Sequence, residues 1–136
     1  MMTATNSDDF RVRQVIEKWA LAVRSRHIEA VLSDHVEDMV MFDVPPPVEL
    51  RGIDAYRDSW PAFFKWLENE SGTFEIVRLD VTAGDTVAFA TALLRCGSKA
   101  SLAKDSTAQL RLTVGLRKID GVWKIAHEHH SFPAES

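Results

Sequence analysis

The order of periodic segments in this chain predicts an α+β domain in which a curved sheet wraps around helices. Apolar residues recur at helical spacing in the first half of the chain, whereas the second half contains long segments in which apolar residues alternate. An Asp-Gly pair at 120–121 separates the last two alternating segments, which is a strong hairpin signal. Helices therefore come first and antiparallel strands follow.

Three helices are predicted. Ser7 is a suitable N-cap for the first helix, because acidic residues and then an apolar stripe follow it. A short second helix is expected at 28–32, and Gly52 begins the third. Pro61 lies inside the third apolar pattern and removes one backbone donor, so we expect a kink or a restart at Ser59.

The remaining segments predict strands. Pro45-Pro46-Pro47 cannot continue a ladder, so the first strand ends in a stiff loop. The alternation changes parity between Ile76 and Val77, which predicts a bulge near Val77. The expected strands are 39–44, a segment from Phe74 to Val81, a second long strand ending near Cys96, 107–118 and 122–132, with a polar loop at 97–106.

Composition excludes several partners. The 136 residues carry a net charge of −4 and no basic run, which argues against nucleic acid. The longest apolar run, 87–94, is far shorter than the roughly 20 residues of a membrane helix. A lone cysteine and an N-terminus without a secretory pattern predict a cytoplasmic protein.

Asp43 is the candidate general base. It follows the apolar stretch 39–42, so partial burial would tune the carboxylate for proton transfer, an effect typically worth about 10² to 10⁴ in rate. The alternative is that Asp43 caps the turn before the prolines by accepting backbone N–H bonds.

The segment HEHH at 127–130 is the second candidate. In a regular strand His127 and His129 share one face with Trp123, whereas Glu128 and His130 share the other. Because Trp123 marks the inner face, we expect His127 and His129 to point into a pocket or the core.

Three interpretations of His127 and His129 stay open. They can be imidazoles that line a pocket and move a proton, or structural residues bonded to backbone or to Tyr56. They can also be two metal ligands with Asp43 as a third, but zinc usually takes three or four protein ligands and no further His or Cys has suitable spacing. We therefore expect neither a metal nor another cofactor.

Aromatic side chains on the helix faces are mostly core residues, but a subset should wall a cavity that the helices only partly fill. These candidate ligand-binding residues are Trp19, Tyr56, Trp60 and Phe64.

The element order, with Asp43 before a proline-rich loop, RGIDAYRDSW after it and LRLTVGLRKIDGVWKIAHEHHS near the end, resembles the SnoaL-like branch of the nuclear transport factor 2-like superfamily. The likeness covers residues 8–132 and implies one domain, 1–136, shaped as a cone-like half-barrel with a pocket at its open end. Asp43 matches the position of the base in ketosteroid isomerases. Trp19 falls near the position of their oxyanion tyrosine, so that oxyanion pair is not preserved.

The orientation of Arg111 and Thr113 depends on the hairpin register. A two-residue Asp-Gly loop pairs Ile119 with Val122 and places Arg111 outside, which segregates the apolar residues better. A three-residue loop with a glycine bulge turns Arg111 and Thr113 inward. The resemblance, in which R-x-T and H-x-H tend to act together, favours this second register. It would leave an outer apolar stripe for a second subunit to cover.

The resemblance implies a protein that binds a small apolar, polyketide-like or steroid-like ligand and forms a homodimer through its sheet. Proton transfer in isomerisation, dehydration or cyclisation would use Asp43 as the base, His127 and His129 as acid or orienting groups, and Arg111 or Trp19 to stabilise charge. The alternative is a non-catalytic ligand-binding or dimerisation module of the same fold.

Overall fold

The computed structural model describes residues 7–105 and 109–134. Within them the helices and strands, in chain order, are α1 (Asp8–Arg24), α2 (Ile28–Leu32), β1 (His35–Phe42), β2 (Leu50–Arg51), α3 (Ile53–Asn69), β3 (Thr73–Ala83), β4 (Val87–Gly97), α4 (Lys99–Lys104), β5 (Gln109–Ile119) and β6 (Val122–Ser131).

The helices begin where the capping signals predict. The Ser7 hydroxyl accepts a hydrogen bond from the backbone N–H of Phe10 at 3.1 Å, which satisfies one of the free donors of the first turn. Gly52 precedes α3 with φ at 90°, a left-handed conformation that suits glycine. Pro61 does not cause a restart, since α3 continues through it with the proline on the exposed side.

The described strands form one curved sheet in the order β2-β1-β6-β5-β4-β3. All neighbours are antiparallel except β1 and β6, which are parallel. The sheet does not close into a barrel, and α1 and α3 pack in its concave face. The predicted α+β half-barrel with helices inside the sheet is therefore confirmed.

The core lies between the helices and the inner face of the sheet. Inner residues alternate regularly along β4 and β5, where every second side chain is buried. On the inner face of β5 these are Leu110, Leu112, Val114 and Leu116. The apolar stripe of β5, which the three-residue turn would have placed on the outer face of the sheet, therefore lies on the inner face.

The β5–β6 hairpin has the two-residue turn. Ile119 pairs with Val122, and Asp120 and Gly121 have φ values of 51° and 79°, as a type I′ turn requires. The three-residue register favoured by the resemblance is wrong. Further along the hairpin Leu116 pairs with Ile125 but Gly115 pairs with His127, so Ala126 is an extra residue.

Other elements differ in detail from the predictions. The bulge near Val77 is confirmed, because the β3–β4 register shifts between Ile76 and Arg78. The predicted polar loop contains α4, and β1 begins four residues earlier than expected, at His35. No helix in the described part of the chain is long and apolar enough to cross a membrane.

Candidate functional site

The bulge at Ala126 reverses the faces predicted for the histidines. Trp123 and Ile125 are buried, as expected, but beyond the bulge the buried residues are Glu128 and His130. Because Ala126 is an extra residue on β6, the alternation of inner and outer side chains shifts by one position after it. The prediction that His127 and His129 face the pocket is therefore wrong, and Glu128 and His130 take the inner positions.

His127 and His129 lie on the outer face of the sheet. The Nδ1 atom of His127 lies 2.7 Å from the carbonyl oxygen of Val40, and the Phe42 ring contacts both imidazoles edge-on. His129 is exposed and pairs with Thr113 on the neighbouring strand. These two histidines thus form an outer aromatic patch with Phe42.

Arg111 and Thr113 are also outside, and the prediction that they turn inward is wrong. The Arg111 guanidinium donates hydrogen bonds to the Ser131 hydroxyl at 3.1 Å and to the Phe132 carbonyl oxygen at 3.2 Å. Both side chains are exposed. The two-residue turn places them on the outer face of β5, whereas the register that the resemblance favoured would have placed them on the inner face.

Glu128 is the centre of a buried polar network between the sheet and the helices. Its Oε2 atom lies 2.6 Å from His35 Nε2 and accepts a hydrogen bond from the Tyr56 hydroxyl at 2.7 Å. Its Oε1 atom lies 2.9 Å from His130 Nε2. The Tyr56 hydroxyl in turn accepts from the Trp19 indole N–H at 2.8 Å. The carboxylate has no exposure to solvent, and three side chains satisfy it.

The network decides the ionisation of its members. Burial alone would raise the pKa of the Glu128 carboxyl, but hydrogen bonds from His130 and His35, together with the positive charge of His35, outweigh it and lower that pKa from 4.5 to about 2. Burial and the negative charge of Glu128 raise the pKa of Tyr56 well above its ordinary value. Glu128 is therefore an ionised carboxylate and Tyr56 a neutral phenol at neutral pH.

A cavity of about 300 Å³ opens beside this network. Its wall is mostly apolar and aromatic, and its polar residues are Asp43, Ser59, Cys96 and His130. The described residues that line it are Asp43, Val44, Pro45, Ser59, Trp60, Ala62, Phe63, Phe74, Cys96, Leu110, His130 and Phe132. No lysine or arginine is among these described residues.

Asp43 stands on the wall of this cavity, where β1 gives way to the proline loop. One carboxylate oxygen accepts the backbone N–H of Val44 at 2.8 Å, so the capping interpretation describes part of its geometry. Burial, and then the negative charge of Asp43, raise the pKa of the Cys96 thiol to about 11. The Asp43 carboxylate thus acts electrostatically on another residue of the cavity.

The predicted aromatic residues occupy different layers. Trp60 lines the cavity, whereas Phe64 stacks on Trp60 with ring centroids 5.8 Å apart. Trp19 and Tyr56 lie behind the wall as parts of the polar network. Among the described residues the Trp60 indole nitrogen is buried and has no hydrogen-bond partner.

No group of three or more His, Cys, Asp or Glu side chains is arranged to hold a metal ion within residues 7–105 and 109–134. The nearest approach to such a group is the network of His35, Glu128 and His130, in which the carboxylate lies between the two imidazoles and bonds to both.

Three residues of this site were missed by sequence reasoning: His35, Glu128 and His130. Strict alternation assigned Glu128 and His130 to the outer face, and only the extra residue at 126 reverses that assignment. His35 joins Glu128 from 93 positions away because β1 and β6 are parallel neighbours. The apolar Trp123 and Ile125 indicated a buried strand, but no sequence signal revealed the bulge.

A half-barrel with an aromatic cavity beside its inner helices defines the class of this protein, and comparisons specify its family. The sequence model of the SnoaL-like domain matches residues 12–135, so the chain belongs to the SnoaL-like domain family. No functionally curated protein gives a significant match to the sequence.

Solved structures agree with this assignment. The chain is similar to an NTF2-like protein of unknown function from Pseudomonas putida KT2440, with 32% identity, coverage of 99% of this chain and 92% of that one, and a TM-score of 0.84. It shares its fold with an NTF2-like protein with a cystatin-like fold from Novosphingobium aromaticivorans, with 16% identity, coverage of 93% and 82%, and a TM-score of 0.74. A candidate ketosteroid isomerase from Shewanella frigidimarina also shares the fold, with 19% identity, coverage of 93% and 97%, and a TM-score of 0.74.

Proposed function

We propose that the protein binds a small, uncharged, largely apolar molecule in the cavity and transfers a proton to and from it, with Asp43 as the base. The single observation that carries this proposal is the pair of ionisable groups in an otherwise aromatic cavity, one carboxylate and one imidazole held from behind by a buried glutamate. His130 takes the orienting role that the sequence assigned to His127 and His129.

The wall of the cavity supports a ligand of this kind. Trp60, Phe63 and Phe74 offer flat apolar surface, and about 300 Å³ lies at the small end of the range for ligand pockets. An anionic ligand would meet the Asp43 carboxylate, and none of the described wall residues is a lysine or arginine that could compensate. A neutral ring compound with a polar oxygen therefore suits the site better than a carboxylate or phosphate.

The chemistry proposed for Asp43 is reversible removal of a proton from a carbon next to a carbonyl group. The C–H bond breaks, its electron pair stays on the ligand as an enolate, and the proton moves to the carboxylate. Return of the proton to the same or another carbon gives exchange or isomerisation. The fold likeness to a candidate ketosteroid isomerase agrees with this reaction class.

The test is exchange of carbon-bound hydrogen with solvent deuterium, followed by NMR for a panel of small neutral cyclic ketones. We expect the wild-type protein to accelerate exchange for members that fit the cavity, and Asp43→Asn to lower the acceleration about 10² to 10⁴-fold. Asp54→Asn is the matched control, because that carboxylate is exposed on α3 and pairs with Arg57. Equal exchange rates in wild type and Asp43→Asn would exclude Asp43 as the base.

A non-catalytic pocket is the second candidate function. One of the two Asp43 carboxylate oxygens accepts a hydrogen bond from the backbone N–H of Val44, as it would in a turn with a purely structural role. Binding of ring compounds without any accelerated exchange would favour this alternative.

We also propose a homodimer through the outer face of the sheet. Although β5 turns its apolar stripe inward, β4 exposes Val87 and Phe89 at 60% and 53%, and Phe42 is 38% exposed on the same face. Apolar side chains grouped on one face of a sheet indicate an interaction surface, and a second copy of the same face is the simplest occupant.

A further inference from the structure

Every polar atom in the network around Glu128 has a defined partner, with one exception. Trp19 donates to Tyr56, Tyr56 donates to Glu128 Oε2, and His35 reaches that same oxygen through Nε2. His130 reaches Oε1 through Nε2. Within the described residues the Nδ1 atom of His130 has no hydrogen-bond partner, and His130 is a residue of the cavity wall. Nδ1 is therefore the ring atom left for a ligand.

The partners of His35 define where its protons are. Its Nδ1 atom lies 3.2 Å from the carbonyl oxygen of Ser33, which can only accept, so Nδ1 carries a proton. Its Nε2 atom faces an oxygen of Glu128 at 2.6 Å that already accepts from Tyr56, so Nε2 donates as well. With both ring nitrogens donating, His35 is the positive counter-charge of the Glu128 carboxylate.

His130 is then the neutral partner of the carboxylate. Glu128 is already compensated by His35, and a second imidazolium only 6% exposed would lack a buried counter-charge. The remaining ionisable groups of the cavity are Cys96 and Asp43, and Asp43 is partly solvated. A neutral His130 that donates from Nε2 has a lone pair on Nδ1.

We infer that Glu128 and His35 hold His130 as the neutral Nε2–H tautomer, so that the cavity presents a hydrogen-bond acceptor and selects ligands that carry a hydroxyl or N–H donor. This inference deepens the proposed function by naming the ligand class: uncharged ring compounds with a donor group, such as phenols and hydroxyketones. Glu128 and His35 are positioning residues in this arrangement, because they act on the ligand only through His130.

The tautomer is measured directly. Long-range ¹H–¹⁵N correlation spectra of the ¹⁵N-labelled protein at pH 7 distinguish the two neutral tautomers and the imidazolium, and His130→Gln identifies the His130 signals. We expect His130 to be protonated on Nε2 alone and His35 on both nitrogens. A His130 that is protonated on Nδ1, or on both nitrogens, overturns the inference. This measurement needs no ligand, and the His130→Gln variant serves only to assign the signals.

Selectivity is measured with a matched pair of probes, 2-naphthol and its methyl ether, which differ only in the donor hydrogen. We expect the wild-type protein to bind the phenol about tenfold more tightly, as one additional hydrogen bond allows. Glu128→Gln can donate to His130 Nε2 and so reverse the tautomer, and this variant should lose the preference. Glu128→Asp should retain part of it, and the exposed Glu75→Gln should retain all of it. Equal affinity of the wild-type protein for both probes contradicts the inference.

The outcomes separate this inference from the proposed function. The Nε2–H tautomer and a preference for the phenol, with no accelerated hydrogen exchange in any ketone, would refute proton transfer but leave the ligand class intact. If His130 instead carries its proton on Nδ1, and hydrogen exchange depends on Asp43, the inferred ligand class is refuted and proton transfer is supported.

Discussion

Glu128 is a charged residue in the core, where acidic side chains are rare unless they are paired. Its carboxylate is fully buried, and the imidazole of His35, the imidazole of His130 and the hydroxyl of Tyr56 surround it. Removing one member of a buried ion pair leaves the other uncompensated, which typically costs about 3 to 5 kcal/mol. Loss of any one of these partners should therefore destabilise the domain.

The first prediction at this scale concerns stability and pH. Because folding lowers the pKa of Glu128 from 4.5 to about 2, the ionised carboxylate contributes about 3 kcal/mol above pH 4.5. That contribution is lost as the pH falls from 4.5 towards 2, since the folded state then takes up the proton as well. We expect Glu128→Gln to be less stable than wild type at pH 7, with the difference shrinking below pH 4.5, in urea titrations at several pH values.

The control for this prediction is Glu75→Gln, the same chemical change at an exposed position of β3. It should change the free energy of unfolding by less than about 0.5 kcal/mol at every pH. A Glu128→Gln difference that stays constant from pH 7 to pH 3 would contradict the linkage argument.

A second prediction at the residue scale concerns Tyr56. Tyr56→Phe removes the donor to Glu128 and leaves the Trp19 N–H without its acceptor. We expect the variant to lose about 1 to 3 kcal/mol of unfolding free energy, because a buried donor is left unsatisfied while the ring volume is kept. Chemical denaturation at pH 7 measures this loss, and a stability equal to wild type would show that Trp19 and Glu128 find other partners.

At the scale of elements, the β5–β6 hairpin decides which residues reach the cavity. Its two-residue turn sets the parity of β5, and the bulge at Ala126 then resets the parity of β6. The turn depends on Gly121, whose φ of 79° is in the left-handed region, and a Cβ there would meet no atom within 4 Å. Any cost of a larger residue at 121 is therefore conformational rather than steric.

We predict that Gly121→Ala lowers the free energy of unfolding by about 1 kcal/mol, the cost of a left-handed residue with a side chain. Gly115→Ala is the matched control on the same hairpin, because its Cβ would lie in ordinary contact, 3.5 Å from the Cβ of His127. That variant should be neutral or more stable by up to about 1 kcal/mol. Thermal unfolding of both variants tests the contrast, and a destabilised Gly115→Ala with a neutral Gly121→Ala would contradict it.

At the scale of the whole molecule, the sheet has two unlike faces. The concave face buries the helices, the network and the cavity, whereas the convex face exposes Val87 and Phe89 of β4 beside the patch of Phe42, His127 and His129. His127 and His129, which the sequence predicted to be catalytic, thus lie on the surface proposed for dimerisation.

We predict that the wild-type protein sediments as a dimer and that Phe89→Lys sediments as a monomer at the same concentration. A lysine at this position would place a charge in the middle of an apolar contact, which is costly without a partner. Val48→Lys is the control, since Val48 is 91% exposed in the proline loop and so makes little contact with the rest of the chain. Monomeric wild-type protein would exclude the dimer, and an unchanged Phe89→Lys would place the interface elsewhere.

The sequence predicted what depends on local order. Helical spacing and caps located the first three helices, the change of period located the sheet, and the Asp-Gly pair located the hairpin. Asp43, at the end of the first strand, was recognised as a candidate base, and it lies on the cavity wall. These features follow from interactions between neighbours in the chain, so periodicity and turn chemistry are enough to find them.

Only the tertiary structure decided which face each polar residue takes. A single extra residue at 126 exchanges His127 and His129 for Glu128 and His130, and no pattern of hydrophobicity marks a bulge within a strand rich in histidine. The partnership of Glu128 with His35 requires β1 to lie parallel to β6, which is a long-range pairing. A buried charge is tolerated only where distant side chains neutralise it, so the centre of this site is a property of the packed domain rather than of any segment.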